Sequence, residues 1–260
     1  MIDLHCHILP GVDDGPEGVD GAVALAQDAL RDGVHTVVAT PHGNVEWGFQ
    51  GDESEARERV ATLRAEFTRR QLELELLPGL EVALTPDVPA LCTEGRLFTL
   101  NGSRYLLVEF PIQLVPSYAE ATLFRLQIQK LVPVIAHPER NTQIAADPEI
   151  LLQMVRRGML AQITAGSLVG AFGAATQRVA EALLTRGLAH VIASDAHLIN
   201  GRSFSLSRAL QRAESLVGEE SARAMVTTVP EAILQDQEVV CPEPRPAPRR
   251  TWFPFSRRKS

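Results

Sequence analysis

The residues of this chain that could do chemistry stand at the ends of short apolar runs. The opening "MIDLHCHILPGVDDG" alternates Asp3, His5 and His7 with apolar residues, then reaches Asp14 in a glycine-flanked loop. Later runs end at His42 in "ATPH", Glu81 in "LPGLEV", Glu109 in "LLVEFP" and His137 in "VIAHPER", and at Asp195 and His197 in "VIASDAH". Residues two apart on a strand share a face, so His5 and His7 point the same way, and Asp195 with His197 repeats that arrangement.

Taken singly, an HxH or a strand-end glutamate reads as a structural group. Six strand ends bearing such residues read as a metal centre. Several carboxylates in one partly buried pocket would repel and take up protons, and divalent cations relieve that repulsion. Imidazole with carboxylate suits zinc, iron or manganese, and the lack of thiolate ligands speaks against a structural zinc site. His5, His7, Asp14, His42, Glu81, Glu109, His137, Asp195 and His197 are too many for one ion. With Glu81 or Glu109 bridging, they suit two or three. His35 and His190 sit near strand starts and read as structural.

Two arginines follow ligand motifs directly, Arg140 in "HPERN" and Arg202 in "DAHLINGR". A guanidinium offers a two-pronged donor matched to phosphate, although either arginine, Arg202 especially, also suits a surface ion pair. Cations and arginines together point to a phosphate ester. Thiol chemistry is not supported: six residues after Cys6, Cys92 and Cys241 lie Val12, Phe98 and Ala247, so no cysteine has a Cys-x5-Arg loop.

The elements that must hold these residues alternate. Strand patterns in "VHTVVATPH", "LELELLPGLEV", "RYLLVEFP", "LVPVIAHPER", "MLAQITAGS" and "LAHVIASDAH" are separated by helical periods, with helices continuing to about Gln235. The helix of "GVDGAVALAQDALRDG" stops at Gly33, and that of "AATQRVAEALLTRG" at Gly187. About seven strand–helix repeats with near-continuous apolar strands predict a parallel α/β fold. No GxGxxG follows a strand, and polar residues at the strand ends favour a TIM-like barrel with its site at the C-terminal rim.

With 260 residues, 45% hydrophobic and 22% charged, the chain is long enough for one large core. We expect no membrane span and no signal peptide, and the three widely spaced cysteines suggest a reducing, cytoplasmic setting. Net charge is −7, but Arg245, Arg249, Arg250, Arg257, Arg258 and Lys259 are basic with no acidic residue among them, which leaves −13 on the body. Such a body disfavours nucleic acid. We therefore divide the chain into a catalytic domain, 1–240, and a proline-rich basic tail, 241–260, outside it. Trp252, Phe253 and Phe255 between basic residues would suit weak contact with an anionic membrane surface.

"DLHCHILPGVDDG", "ATPH", "LPGLEV", "EFP", "AHPER" and "SDAH" resemble, as a set, the PHP (polymerase and histidinol phosphatase) family, and more closely its bacterial capsule and exopolysaccharide-type protein-tyrosine-phosphatase branch. The resemblance runs from residue 1 to about 234. It implies a distorted (β/α)7 barrel, a trinuclear centre with manganese foremost (iron, zinc, magnesium or cobalt as alternatives), and activity on phosphotyrosine. The implied partner is a membrane-attached bacterial tyrosine kinase with a tyrosine-rich C-terminus, so a location at the inner membrane face is also an expectation. The family pattern would place His5, His7, Glu81 and Asp195 on one metal, Glu81, Glu109 and His137 on a second, and Asp14, His42 and His197 on a third. Glu109 and Asp14 stand where histidinol phosphatases often have histidine. Gly43 departs from the second histidine that many members carry, and "TTVPEAIL" matches a family motif only loosely. Histidinol phosphatase activity, or a metal-loaded docking protein without turnover, are the competing readings. The oligomeric state stays open.

Overall fold

The computed structural model describes residues 1–197, 204–240 and 243–245. Arg202, Cys241 and residues 246–260 of the tail therefore lie outside the described residues. Strand β1 (Ile2–Cys6) leads to α1 (Val19–Arg31), β2 (Thr36–Ala39), β3 (His42–Gly43) and α2 (Glu53–Arg69). Next come β4 (Glu75–Pro78), β5 (Glu81–Ala83), α3 (Val88–Thr93), β6 (Tyr105–Glu109), α4 (Ala119–Ile128), β7 (Val132–Ala136), α5 (Thr142–Ala146) and α6 (Glu149–Arg156). The chain continues through β8 (Leu160–Thr164), α7 (Ala165–Leu168), α8 (Gly173–Thr185) and β9 (Val191–Ala193) to α9 (Leu206–Val217), α10 (Glu219–Ala224) and α11 (Thr228–Leu234).

Local chemistry accounts for the helix ends. Asp52 caps α2 by accepting from Glu55 N at 3.0 Å, which contributes about 1 kcal/mol to such a helix. Gly33 follows α1 at φ +82°, a conformation that glycine enters without a Cβ clash.

All strand pairs are parallel, in a three-stranded sheet ordered β1-β2-β4 and a six-stranded sheet ordered β3-β5-β6-β7-β8-β9. Two strands expected to be continuous are each broken in two. The run through "VVATPH" breaks at Thr40-Pro41, where proline has no N–H for a ladder. The run through "LLPGLEV" breaks at Gly79, where a Cβ would meet Val38 Cγ1 at 2.7 Å. The halves beyond the breaks, β3 and β5, belong to the second sheet, with His42 registered beside Glu81.

Of the expected distorted TIM-like (β/α)7 barrel, the structure shows the parallel α/β part: among the described residues the ladders form two sheets and no closed barrel. A single bridge, Cys6 with Ala196, joins β1 to the segment after β9. Inside it, Asp3 accepts from Ser194 N at 3.0 Å and from Ser194 Oγ at 2.5 Å. One apolar cluster, including Leu4, Val38, Leu107, Val134, Leu160 and Val191, draws on strands of both sheets. Two larger clusters lie between the sheets and the helices. Cys6 belongs to one of them, pointing away from the histidines that flank it. No described helix is long and apolar enough to cross a membrane. Residues 243–245 touch the domain: Arg245 N donates to Arg186 O at 2.8 Å, just beyond α8.

Candidate metal centre

The strand C-termini and the loops that follow them bring together all nine sequence-predicted ligands. His5, on β1, and His7, one residue beyond its end, turn to the same side as the spacing required and meet Nε2 to Nε2 at 3.2 Å. Four imidazoles surround Glu81, which is fully buried. His137 Nε2 and His5 Nε2 lie 2.8 and 3.3 Å from its Oε1, and His42 Nδ1 and His7 Nε2 lie 3.0 and 3.4 Å from its Oε2. Glu109 Oε1 is 3.6 Å from His137, and its Oε2 is 3.7 Å from His42. Asp195 Oδ1 lies 3.5 Å from His5 Nε2 and 3.6 Å from His7 Nε2. Asp14, half exposed at the mouth, approaches His197 Nε2 at 3.1 Å and His42 Nε2 at 3.6 Å.

The expectation that Asp195 and His197 repeat the strand arrangement of β1 is corrected. Strand β9 ends at Ala193, and both side chains enter from the loop beyond it. Asp195 is held at φ +50° and His137 at φ +31°. Non-glycine residues are uncommon in this region, which costs on the order of 1–3 kcal/mol each. Two candidate ligands thus sit in strained backbone that the surrounding fold imposes.

The hydrogen bonds on the far sides of the rings decide whether a cation fits. His5 Nδ1 meets Gln162 Oε1 at 2.9 Å, His7 Nδ1 meets Asp13 Oδ2 at 2.7 Å, and His197 Nδ1 meets the Asp195 carbonyl at 2.9 Å. The carboxylate and carbonyl oxygens only accept, and an amide oxygen does too, so each Nδ1 carries the proton. Each Nε2 of a neutral ring is then a bare lone pair. Two such lone pairs facing each other at 3.2 Å, and a third facing a carboxylate, repel unless a cation or extra protons lie between them. Glu81 Oε2 is also buried without a hydrogen-bond partner of good geometry. The donor set therefore fits divalent cations.

As the protein groups alone set it, burial pushes His5 toward neutrality, but the Glu81 and Asp195 carboxylates outweigh burial and hold its pKa up at about 9. His7 is likewise raised, against burial, by Asp13 and Glu81. Burial and the neighbouring Glu81 charge raise Glu109. Three overlapping ligand groups emerge: His7, Asp14, His42 and His197; His5, His7 and Glu81; His42, Glu81 and Glu109. His7, His42 and Glu81 each serve two of them.

Three supporting residues were not legible as site residues. Asp13 orients His7 and also accepts from His42 N at 3.1 Å. Its only sequence signal was adjacency to Asp14. Gln162 comes from β8, the strand without a metal-type residue at its end. Buried Glu139, inside "HPER", accepts from Thr164 N at 2.9 Å and Ser167 Oγ at 2.6 Å, anchoring the turn that carries His137 and Arg140. Arg140 Nη1 lies 2.5 Å from Asp195 Oδ2, with its guanidinium 4.8 Å from the Phe172 ring centre. His190 stands apart from the site: its Nδ1 accepts from Ala161 N at 3.0 Å, and burial lowers its pKa to about 4.

Parallel sheets at whose C-terminal side five histidines and four carboxylates converge define an α/β protein with a candidate metal centre. The chain belongs to the CpsB/CapC family of capsular polysaccharide synthesis, which it matches over residues 1–235. It is 37% identical to the tyrosine-protein phosphatase YwqE of Bacillus subtilis over 255 residues, covering 98% of this chain and 100% of that protein. It is 36% identical over 208 residues to a putative tyrosine-protein phosphatase, CapC, of Staphylococcus aureus, covering 80% of this chain and 81% of CapC. A crystal structure reported for YwqE and Streptococcus pneumoniae CpsB as unique metal-dependent tyrosine phosphatases superposes with TM-score 0.91 at 37% identity, covering 96% of this chain and all of that one. A β-aspartyl dipeptidase from Fervidobacterium islandicum, at 15% identity and TM-score 0.53, shares the fold alone.

Proposed function

We propose that this protein is a metal-dependent, cysteine-independent protein-tyrosine phosphatase. The observation that carries the reading is the 3.2 Å approach of His5 Nε2 to His7 Nε2, beside a buried carboxylate and a guanidinium. Divalent ions bound there supply positive charge to a phosphoryl group and a nucleophilic water at neutral pH.

The chain's own residues do the rest. Gln162, Asp13 and the Asp195 carbonyl keep the protons of His5, His7 and His197 on Nδ1, so that each Nε2 faces the centre. Glu81, with one oxygen toward His5 and His137 and the other toward His7 and His42, would help hold the ions. Arg140 is held by Asp195 and Phe172, and its remaining N–H donors serve phosphoryl oxygens. Arg202 has the same role in this reading. Because a phenol has a pKa of about 10, its oxygen leaves without the full protonation that an alkoxide needs.

The finer parts of the proposal are two or three ions with manganese foremost, grouped as the family resemblance implies, and a distorted (β/α)7 barrel spanning both sheets within a domain of residues 1–240. The substrate is the C-terminal tyrosine cluster of a membrane-attached kinase that controls capsule or exopolysaccharide synthesis, met in the cytoplasm at the inner membrane face. Relatives named as tyrosine-protein phosphatases support the chemistry. Hydrolysis of a phosphotyrosine peptide, assayed with chelator and after manganese is added back, tests it. Full turnover after exhaustive chelation would end the proposal.

A further inference from the structure

Among the described residues, large apolar side chains are exposed at only seven positions, and three of them, Trp47, Ile112 and Leu114, stand on the loops leaving β3 and β6. Those two strands carry His42 and Glu109. Trp47 is 59% exposed, and its ring packs edgewise against His42 with centroids 4.7 Å apart.

Its place is built. Phe49 N donates to the His42 carbonyl at 2.7 Å, closing the loop that carries Trp47. Gly48 makes the return possible, since a Cβ there would lie 2.2 Å from that same carbonyl oxygen. Gln50 Nε2 donates to the carbonyls of Val45 at 2.6 Å and Gly48 at 3.0 Å. The second loop is braced by the residue after Arg140: Asn141 Nδ2 donates to the carbonyls of Pro111 at 2.8 Å and Leu114 at 3.0 Å.

A braced loop thus presents the largest exposed apolar side chain among the described residues to water beside the candidate metal centre. Such a surface gains most from a flat apolar group attached directly to the anion. A phosphate ester of an aromatic ring supplies one, because the ring begins one ester oxygen from phosphorus. The single methylene of a serine ester offers too little to cover an indole.

Resting on the phosphatase reading above, we propose that Trp47 is the specificity-determining residue that receives the phenyl ring of phosphotyrosine and selects aryl over alkyl phosphate esters. Ile112 and Leu114, on the loop that follows the Glu109 strand, are apolar surface for residues flanking the phosphotyrosine.

The test compares wild type, Trp47→Ala and Trp47→Phe, all manganese-loaded, on phosphotyrosine and phosphoserine peptides of one sequence. Trp47→Ala should raise KM for the phosphotyrosine peptide about tenfold, the scale of one lost aromatic contact. The kcat, metal content and phosphoserine turnover should stay unchanged, and Trp47→Phe should recover most of the loss. In a Trp252→Phe background Trp47 is the sole indole. Its emission should then change saturably with benzylphosphonate, a non-hydrolysable aryl phosphate mimic. An unchanged KM, an equal loss on both peptides, or a flat emission titration overturns the inference while leaving the phosphatase reading intact. A wild type that does not prefer the phosphotyrosine peptide overturns that reading and the inference with it.

Discussion

The Asp195 carboxylate joins Arg140 to the histidine cluster. Oδ2 accepts from Arg140 Nη1 at 2.5 Å, while Oδ1 lies 3.5 Å from His5 Nε2 and 3.6 Å from His7 Nε2. The guanidinium is thereby aimed from the same group that faces the His5 and His7 rings. Arg140→Ala should keep metal stoichiometry and lower kcat/KM on the order of 10²-fold, as removing a fixed transition-state donor does. Arg140→Lys should recover only part, because lysine lacks the planar fork. Metal analysis beside phosphopeptide kinetics checks both, and unchanged turnover in Arg140→Ala would refute the role.

Ligand variants should behave differently. His5→Ala, Glu81→Ala and Asp195→Ala should lose bound metal together with rate, because each side chain faces more than one neighbour of the cluster. Gln162→Leu touches no ion in this reading, yet it should weaken metal binding roughly 10–100-fold by releasing the His5 ring. With its pKa held up at about 9, His5 carries a proton at pH 7 that a cation must displace. Metal affinity should therefore rise with pH up to about 9, with proton release on binding, and calorimetry in buffers of different ionisation enthalpy measures both.

Thiols should be dispensable. Cys6 is fully buried in apolar packing, and burial first, then nearby carboxylates, raises its pKa well above that of a free thiol. Cys6→Ser should keep kcat/KM in the folded enzyme while losing about 1–3 kcal/mol of stability to the buried hydroxyl. Loss of turnover with a normal metal content would contradict the metal-only mechanism.

His190 should give the fold an acid-side liability. Its pKa drops from 6.5 to about 4 on folding, because burial disfavours the charged ring. Above pH 6.5 both folded and unfolded forms are neutral, so the group has no effect. Below it the unfolded chain takes up the proton first, and stability falls by up to about 3 kcal/mol on the way to pH 4. His190→Gln should remove that slope relative to wild type in denaturant titrations at several pH values. An identical slope in both would show that His190 does not supply it.

The basic, aromatic end of the chain should bind anionic vesicles weakly and reversibly, since each basic residue near such a surface contributes about 1 kcal/mol. Truncation after Arg245 preserves its bond to Arg186 and removes the remaining basic residues. Sedimentation with vesicles should retain only the full chain, and salt should release it. Equal binding by both would remove the membrane role.

Much of this molecule was legible from pattern. The alternation of apolar runs and helical periods is local chemistry, so α1, α2, α4, α8 and each strand region fall where periodicity and glycine stops put them. Strand ends in a parallel sheet point one way, so polar residues closing those runs had to meet, and His5, His7, His42, Glu81, Glu109, His137, Asp195 and His197 do. Period-two geometry also directed Cys6 away from them. The tertiary structure alone decided the rest. The division of the strands between two sheets at Pro41 and Gly79 is not written in those residues alone: at Gly79 it depends on the Val38 side chain that the fold packs there. The left-handed backbones of His137 and Asp195 are imposed by surrounding contacts and carry no sequence signature at non-glycine residues. Asp13, Gln162 and Glu139 act through partners as many as 157 residues away, as Gln162 does for His5. Such pairings arise only when strands distant in the chain are brought side by side, since what a polar side chain does depends on the acceptor or donor that the fold sets against it.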